Sequence, residues 1–239
     1  STTLEKASVK RTLRVAELYR KDSLMSSSIE TARPSPDSFA QVKGRVITPE
    51  DPTYDQARTV FYGGLDKHPT AIVRVSDVAD VRRVIATARD EGYELAVRSG
   101  GHSIVGHSTT EGGIVIDLRG MSKIEIDPNA RTAWVETGAT ALQVTEALAE
   151  HGLVVGFGDS GSVGVGGITL GGGIGFLVRK FGMTIDSLVA AEVVTADGRH
   201  LRADAEHHSD LFWAIRGGGG NFGVVTRLQF RLHELPQFT

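Results

Sequence analysis

The sequence predicts an α+β fold with mixed sheets, on three observations. A strand–helix–strand unit fills residues 71–98, further strands follow it without intervening helices, and the last third carries a hairpin and a long alternating strand. Alternating βαβα order, which a wholly parallel sheet needs, is absent.

In chain order, residues 4–20 (Leu4, Val9, Leu13, Val15, Ala16, Leu18, Tyr19) read as a helix. The stretch SSSIETARPSPDS is a linker, so residues 1–40 are an extension. GRVITPEDPTYDQA turns at its two prolines, and AIVRV (71–75) is a strand. Ser76 or Asp77 then caps a helix with the apolar face Val78, Val81, Val84, Ile85 and Ala88, stopped near Gly92. ELAVR (94–98) runs straight into a glycine loop, and GGIVIDL, KIEID and TAWVET are successive strands. Thr140 and Gln143 form a capping-box pattern for a helix over 141–151, ended by Gly152. AAEVVTADGRHLRA is a hairpin turning at Asp197-Gly198, and Ser209 is placed to cap the short helix DLFWAIRG. Over 224–232, Val224, Leu228, Phe230 and Leu232 face inward while Arg227, Gln229 and Arg231 face out.

Composition narrows the function classes. A net charge of −3 and the lack of a basic stripe argue against nucleic acid. No apolar run reaches the roughly 18–20 residues of a membrane span. The first twenty residues lack the apolar centre of a secretory signal, which sets the expectation of a cytoplasmic protein, although a chain beginning at Ser is open to trimming. With no cysteine, disulfides, thiol catalysis and any cysteinyl cofactor link are excluded.

Glycine is distributed unevenly. Ten of the 29 glycines fall between Gly156 and Gly175, and four form the run Gly217–Gly220. Such clusters bring backbone close to a ligand or hold several positive-φ positions in succession. GFGDSGSVGVGG (156–167) has three readings. A serine-protease nucleophile at Ser160 would need a His base, an Asp orienter and an oxyanion hole, none of which this segment supplies. A dinucleotide-binding turn at Gly156-x-Gly158-x-x-Gly161 would need a helix to open at the third glycine. Seven of the next fourteen residues are glycine, at about 1 kcal/mol each against a helix, so none is expected there. The third reading is one wall of a glycine-built anion site. VRSGGHSIVGHS (97–108) supports it, because its successive glycines let backbone N–H groups converge and its serines add donors. His102 sits in the middle of that loop.

Together RSGGHS with the following GHS, VETGA, SVGVGGITLGGGIGFLVRKFGMTID, EVVTADGR and DLFWAIRGGGGNFGVVT resemble the PCMH-type FAD-binding domain. This is the vanillyl-alcohol-oxidase and berberine-bridge-enzyme-like group of FAD-linked oxidases, and the resemblance runs over residues 41–235. It implies two α/β subdomains, 41–118 and 119–239, with FAD between them. It makes Arg98, Ser99, Gly100, Gly101, His102 and Ser103 the pyrophosphate loop, and His102 the covalent attachment point of the flavin 8α-methyl group. His107 joins the cofactor set with a hydrogen-bonding role. Gly161, Ser162, Gly166 and Gly167, then Gly171 and Gly172 through Gly175, would line the flavin and its ribityl–phosphate chain. Asp186 and the backbone at Glu192–Val194 and Gly223–Val225 would hold the adenosine half. Relatives with two covalent links carry a cysteine where this chain has Ser160, so only the histidyl link is open to it.

The family continues beyond RLHELPQF into a substrate domain, so the resemblance implies the flavin portion of an oxidase whose substrate domain comes from residues outside this chain. The implied chemistry is oxidation of an alcohol, sugar or related small molecule by hydride transfer to FAD, with O2 giving hydrogen peroxide. No catalytic base is named within the chain. A non-covalent, NADPH-using reductase of the UDP-N-acetylenolpyruvoylglucosamine type and a non-catalytic flavin-binding module are the alternatives. RSGGHS speaks against the first.

Overall fold

The first sheet is built from β1 (Arg45–Ile47), β2 (Ala71–Arg74), β3 (Leu95–Arg98) and β4 (Ile114–Asp117), in the order β1-β2-β4-β3. It comes from a computed structural model that describes residues 36–235. The expected helix over 4–20 lies outside the described residues, as does most of the linker. β4 pairs in parallel with β2 and β3, while β1 runs antiparallel at the edge. The apolar runs AIV and IVI are buried throughout because both faces of the sheet are covered.

One face packs under α2 (Val78–Glu91), whose Val81, Val84, Ile85 and Ala88 meet Val73, Ile114 and Ile116. The helix starts where Asp77 accepts the Asp80 amide at 2.9 Å and stops at Gly92, in the left-handed region at φ 76°. The other face packs against α1 (Tyr54–Arg58) through Tyr54 and Ala57. At one register position Arg45, Arg74, Asp117 and Arg98 lie side by side across all four strands. That row marks the carboxyl edge of the parallel strands, from which the 99–108 loop departs.

The second sheet is wholly antiparallel rather than mixed. Its strands are β5 (Ile124–Asp127), β6 (Thr132–Glu136), β8 (Leu188–Val194), β9 (His200–Asp204) and β10 (Val224–Arg231), ordered β5-β6-β10-β8-β9. Its inner face (Ala133, Val135, Ala191, Leu228, Phe230) packs with Val144 and Leu148 of α3 (Ala141–Ala149) and with Phe212 and Ile215 of α6 (Ser209–Ile215). The capping box on α3 forms as the spacing predicts. On the outer face the Arg227 and Arg202 guanidiniums lie 5.0 and 5.8 Å from the Trp134 ring. A separate pair joins β7 (Leu153–Val154) to β11 (His233–Glu234).

Two sequence expectations are corrected. Val165–Leu170 is a short helix, α4, in the stretch where glycine content predicted none. Tertiary packing decides the matter: Val165 and Thr169 are buried, and a Cβ on Gly166 would sit 2.9 Å from Thr137 Cβ. Glycine is there for the close approach. Ser209 is the first residue of α6 rather than its cap; the cap position is His208, at φ 48°, whose Nδ1 pairs with the Arg202 carbonyl at 2.9 Å. A four-residue helix, α5 (Val178–Phe181), precedes the turn over Thr184–Ser187.

Candidate functional site

The row of charges at the end of the first sheet fixes where the 99–108 loop begins. Arg98 is fully buried, and its guanidinium donates to the carbonyls of Ala57 (2.5 Å), Ser108 (3.0 Å) and Arg58 (3.4 Å). Burial brings its pKa down to about 10 against the attraction of Asp117, so it remains a cation at neutral pH. The side chain therefore clamps the end of α1 and the far end of the loop, and none of its reach is turned toward a ligand. Asp117, also fully buried, is held by Arg119 (2.7 Å) and Arg74 (3.1 Å).

Beyond Arg98 the two glycine segments meet. A Cβ on Gly100 would lie 2.2 Å from the Gly164 amide nitrogen, and one on Gly164 would lie 2.1 Å from that of Gly100. The two backbones touch, which only paired glycines allow. Thr137 joins them to the second sheet. Its carbonyl accepts from Ser99 Oγ (2.5 Å) and from the Gly166 amide (3.4 Å), and its hydroxyl donates to the Val225 carbonyl (2.7 Å).

His102 stands at this junction. Its ring stacks on Phe61, with centroids 4.0 Å apart and planes at 18°. Its Nε2 lies 3.1 Å from Ser162 Oγ, which is 3.2 Å from Ser160 Oγ. Burial lowers the His102 pKa below the usual 6.5, with an opposing contribution from the Ser162 backbone, so the imidazole is neutral at pH 7. A neutral ring offers one in-plane lone pair, to accept a hydrogen bond or to form a covalent bond.

These residues fit a flavin nucleotide by their donor set. The Gly100, Gly101 and His102 amides donate to no group among the described residues, which leaves three adjacent N–H groups for phosphate oxygens. Gly167 has nothing within 4 Å of an added Cβ, so its face of α4 is open. Phe61, Ile104, Val105 and, beside Gly161, Leu142 are large apolar side chains left exposed around the junction, suited to a flat ring system. At the far end of the loop Ser108, Thr109 and Thr110, and on α4 Thr169, bury hydroxyls with no partner among the described residues.

The other expected site residues are spread more widely. Ser103 Oγ accepts the His107 amide at 3.1 Å, a turn that leaves the His107 ring exposed. Gly171 donates to the Gly167 carbonyl, Gly172 presses on Met183, and Gly175 on the Phe157 carbonyl, so these glycines meet protein. Asp186 accepts the Met183 amide at 2.7 Å and shapes the turn over Thr184–Ser187. Val194 and Val225 point into the two cores, and Gly223, at φ 139°, packs on the Val194 carbonyl. Any ligand contact at Val194, Gly223 or Val225 therefore has to come from main chain near the β10 irregularity between Val225 and Arg227. Phe61 and Thr137 are new to the site. Phe61 carries no signal in the sequence, while Thr137 lies inside VETGA.

The FAD binding domain family matches residues 69–204. The chain belongs to this family. Among solved structures, 6-hydroxy-D-nicotine oxidase from Arthrobacter nicotinovorans is 38% identical with a TM-score of 0.80, over 81% of this chain and 43% of that one. Glucooligosaccharide oxidase from Acremonium strictum, described with a 6-S-cysteinyl, 8α-N1-histidyl FAD, is 29% identical with a TM-score of 0.79, over 83% and 42%. Berberine bridge enzyme-like 3 of Arabidopsis thaliana is 33% identical over 90% of this chain and 44% of its own. The relatives are FAD-linked oxidoreductases and oxidases, and the chain spans less than half the length of the first curated relatives it matches.

Proposed function

We propose that this FAD-binding domain carries its cofactor covalently on His102 and serves an oxidase that takes a hydride from an alcohol, sugar or related small molecule. The observation that carries this reading is the meeting of the two glycine segments at a neutral His102 beside three unpaired amides. When bound, FAD supplies the two-electron acceptor, and O2 as final oxidant yields hydrogen peroxide. The chain's own work is binding and orientation. The Gly100, Gly101 and His102 amides hold phosphate oxygens, the exposed apolar rim keeps water from the ring system, and His102 supplies the attaching nitrogen. Cys being absent, a second link is closed to this chain. Two similar proteins are named as oxidases of a nicotine derivative and of oligosaccharides, which supports an oxidase of a small organic substrate. The first and second sheets span 45–117 and 124–231 of the two subdomains we read at 41–118 and 119–239.

The test is to denature the purified, FAD-loaded chain and follow flavin fluorescence. We expect it to stay with the polypeptide in the wild type and to be released from His102→Ala. Free flavin from the wild type refutes the covalent link, and failure to bind FAD at all refutes the cofactor reading. Peroxide release with sugars or alcohols separates an oxidase from a domain that only binds flavin.

A further inference from the structure

Among the described residues Ser162 is the one polar side chain at hydrogen-bond distance from the His102 ring, and Ser160 stands behind it. No carboxylate pairs with the imidazole among the described residues; Phe61 covers one face, Ser162 Oγ stands 3.1 Å from Nε2, and Ser160 Oγ 3.2 Å further on. A hydroxyl can donate or accept, so this chain runs in one of two directions. If it runs toward the ring, Nε2 is occupied as an acceptor and the other nitrogen carries the proton. If it runs away from the ring, Nε2–H donates to Ser162, Ser162 donates to Ser160, and Nδ1 keeps the lone pair.

The position of the ring decides between them. Nε2 is the nitrogen that Ser162 Oγ holds at 3.1 Å, while Nδ1 has no hydrogen-bond partner among the described residues. Nδ1 is therefore the nitrogen left open to a cofactor, and only the second direction leaves it a lone pair.

Resting on the reading of His102 as the attachment residue, we propose that Ser162 is its positioning residue: the Ser162 hydroxyl accepts a hydrogen bond from Nε2–H and donates one to Ser160, which keeps the proton on Nε2 and leaves Nδ1 with the lone pair that attachment requires. Ser162 and Phe61 together fix the ring's tautomer and tilt before any cofactor arrives. This also gives Ser160 a task, as the terminal acceptor of the relay.

The test uses the full chain in two arms. In the apoprotein, 15N-edited NMR at neutral pH is expected to show the His102 Nε2–H as a slowly exchanging proton. Ser162→Ala should lose that signal to water exchange and Ser162→Thr should keep it. At saturating FAD, the rate of covalent incorporation should fall about tenfold in Ser162→Ala, the loss of one oriented hydrogen bond. Ser162→Thr should restore the rate. A wild type that binds FAD without ever linking it overturns the His102 reading. A wild type that links normally, with Ser162→Ala linking equally fast or keeping the Nε2–H signal, overturns the role of Ser162 alone.

Discussion

Arg98 shows how one side chain can serve a site without facing it. Three carbonyls from two segments converge on a guanidinium that water does not reach, and each loses its partner if the cation is removed. In Arg98→Met we expect a loss of about 2–4 kcal/mol in unfolding free energy by urea titration, with weaker FAD binding because Ser108 no longer closes the loop. A variant as stable as wild type would show the three bonds to be dispensable. His102 is the opposite case, a half-buried side chain whose pKa burial lowers and which stays partly open to a ligand. RSGGHS made both residues visible in the sequence. It said nothing of which one turned inward, because that depends on Ala57 and Arg58, some forty residues earlier in the chain.

At the scale of elements, the glycines separate into two kinds, with opposite consequences for the same substitution. Gly100 and Gly164 are pressed against each other's amides, so an alanine at either must force the two loops apart. Gly100→Ala or Gly164→Ala should cost about 1–3 kcal/mol or more and abolish FAD binding together with stability. Gly167 sits in α4 with open space around it. Gly167→Ala should therefore raise stability by about 0.5–1 kcal/mol, as alanine does inside a helix, while weakening FAD if that open face is the cofactor's. Calorimetry with and without FAD distinguishes these outcomes, and a Gly167→Ala chain that is destabilised would contradict the open face. β2 to β6, β8 to β10, α2 and α3 were legible in the sequence because period and caps are local. β1, inside GRVITPEDPTYDQA, and the β7–β11 pair were not, since strands of two or three residues carry no period. Nor were two larger features. α4 is a helix despite its glycines because Thr137 and the core beneath it demand close approach, and the antiparallel order of the second sheet follows from β10 lying between β6 and β8.

Across the whole molecule, the ionisable groups predict two separate acid transitions. His102 and His233 both have pKa values lowered from 6.5, His102 mainly by burial and His233 by burial and then Arg231. For a base held below its unfolded value, the folded state binds fewer protons. Its contribution is complete above pH 6.5 and is lost as pH falls through the folded pKa. Asp80 and Asp117 are fully buried carboxylates in the first sheet's support. Burial pushes each upward, but hydrogen bonds outweigh it: the Lys43, Ser76 and Gly44 amides and Ser76 hydroxyl on Asp80, and Arg119 with Arg74 nearby on Asp117. Both end below 3.8, so their contribution is complete above that pH and is lost below it, with a slope of up to about 1.4 kcal/mol per pH unit for each. The histidine window thus opens first and touches the His102 junction and the β7–β11 pair, while the carboxylate window follows and undoes the first sheet. Urea unfolding from pH 8 to 3 should show both slopes. The double variant His102→Gln, His233→Gln should flatten the upper one only, and Asp80→Asn should weaken the lower one only. A single transition insensitive to the histidines would mean that neither ring is held neutral by the fold.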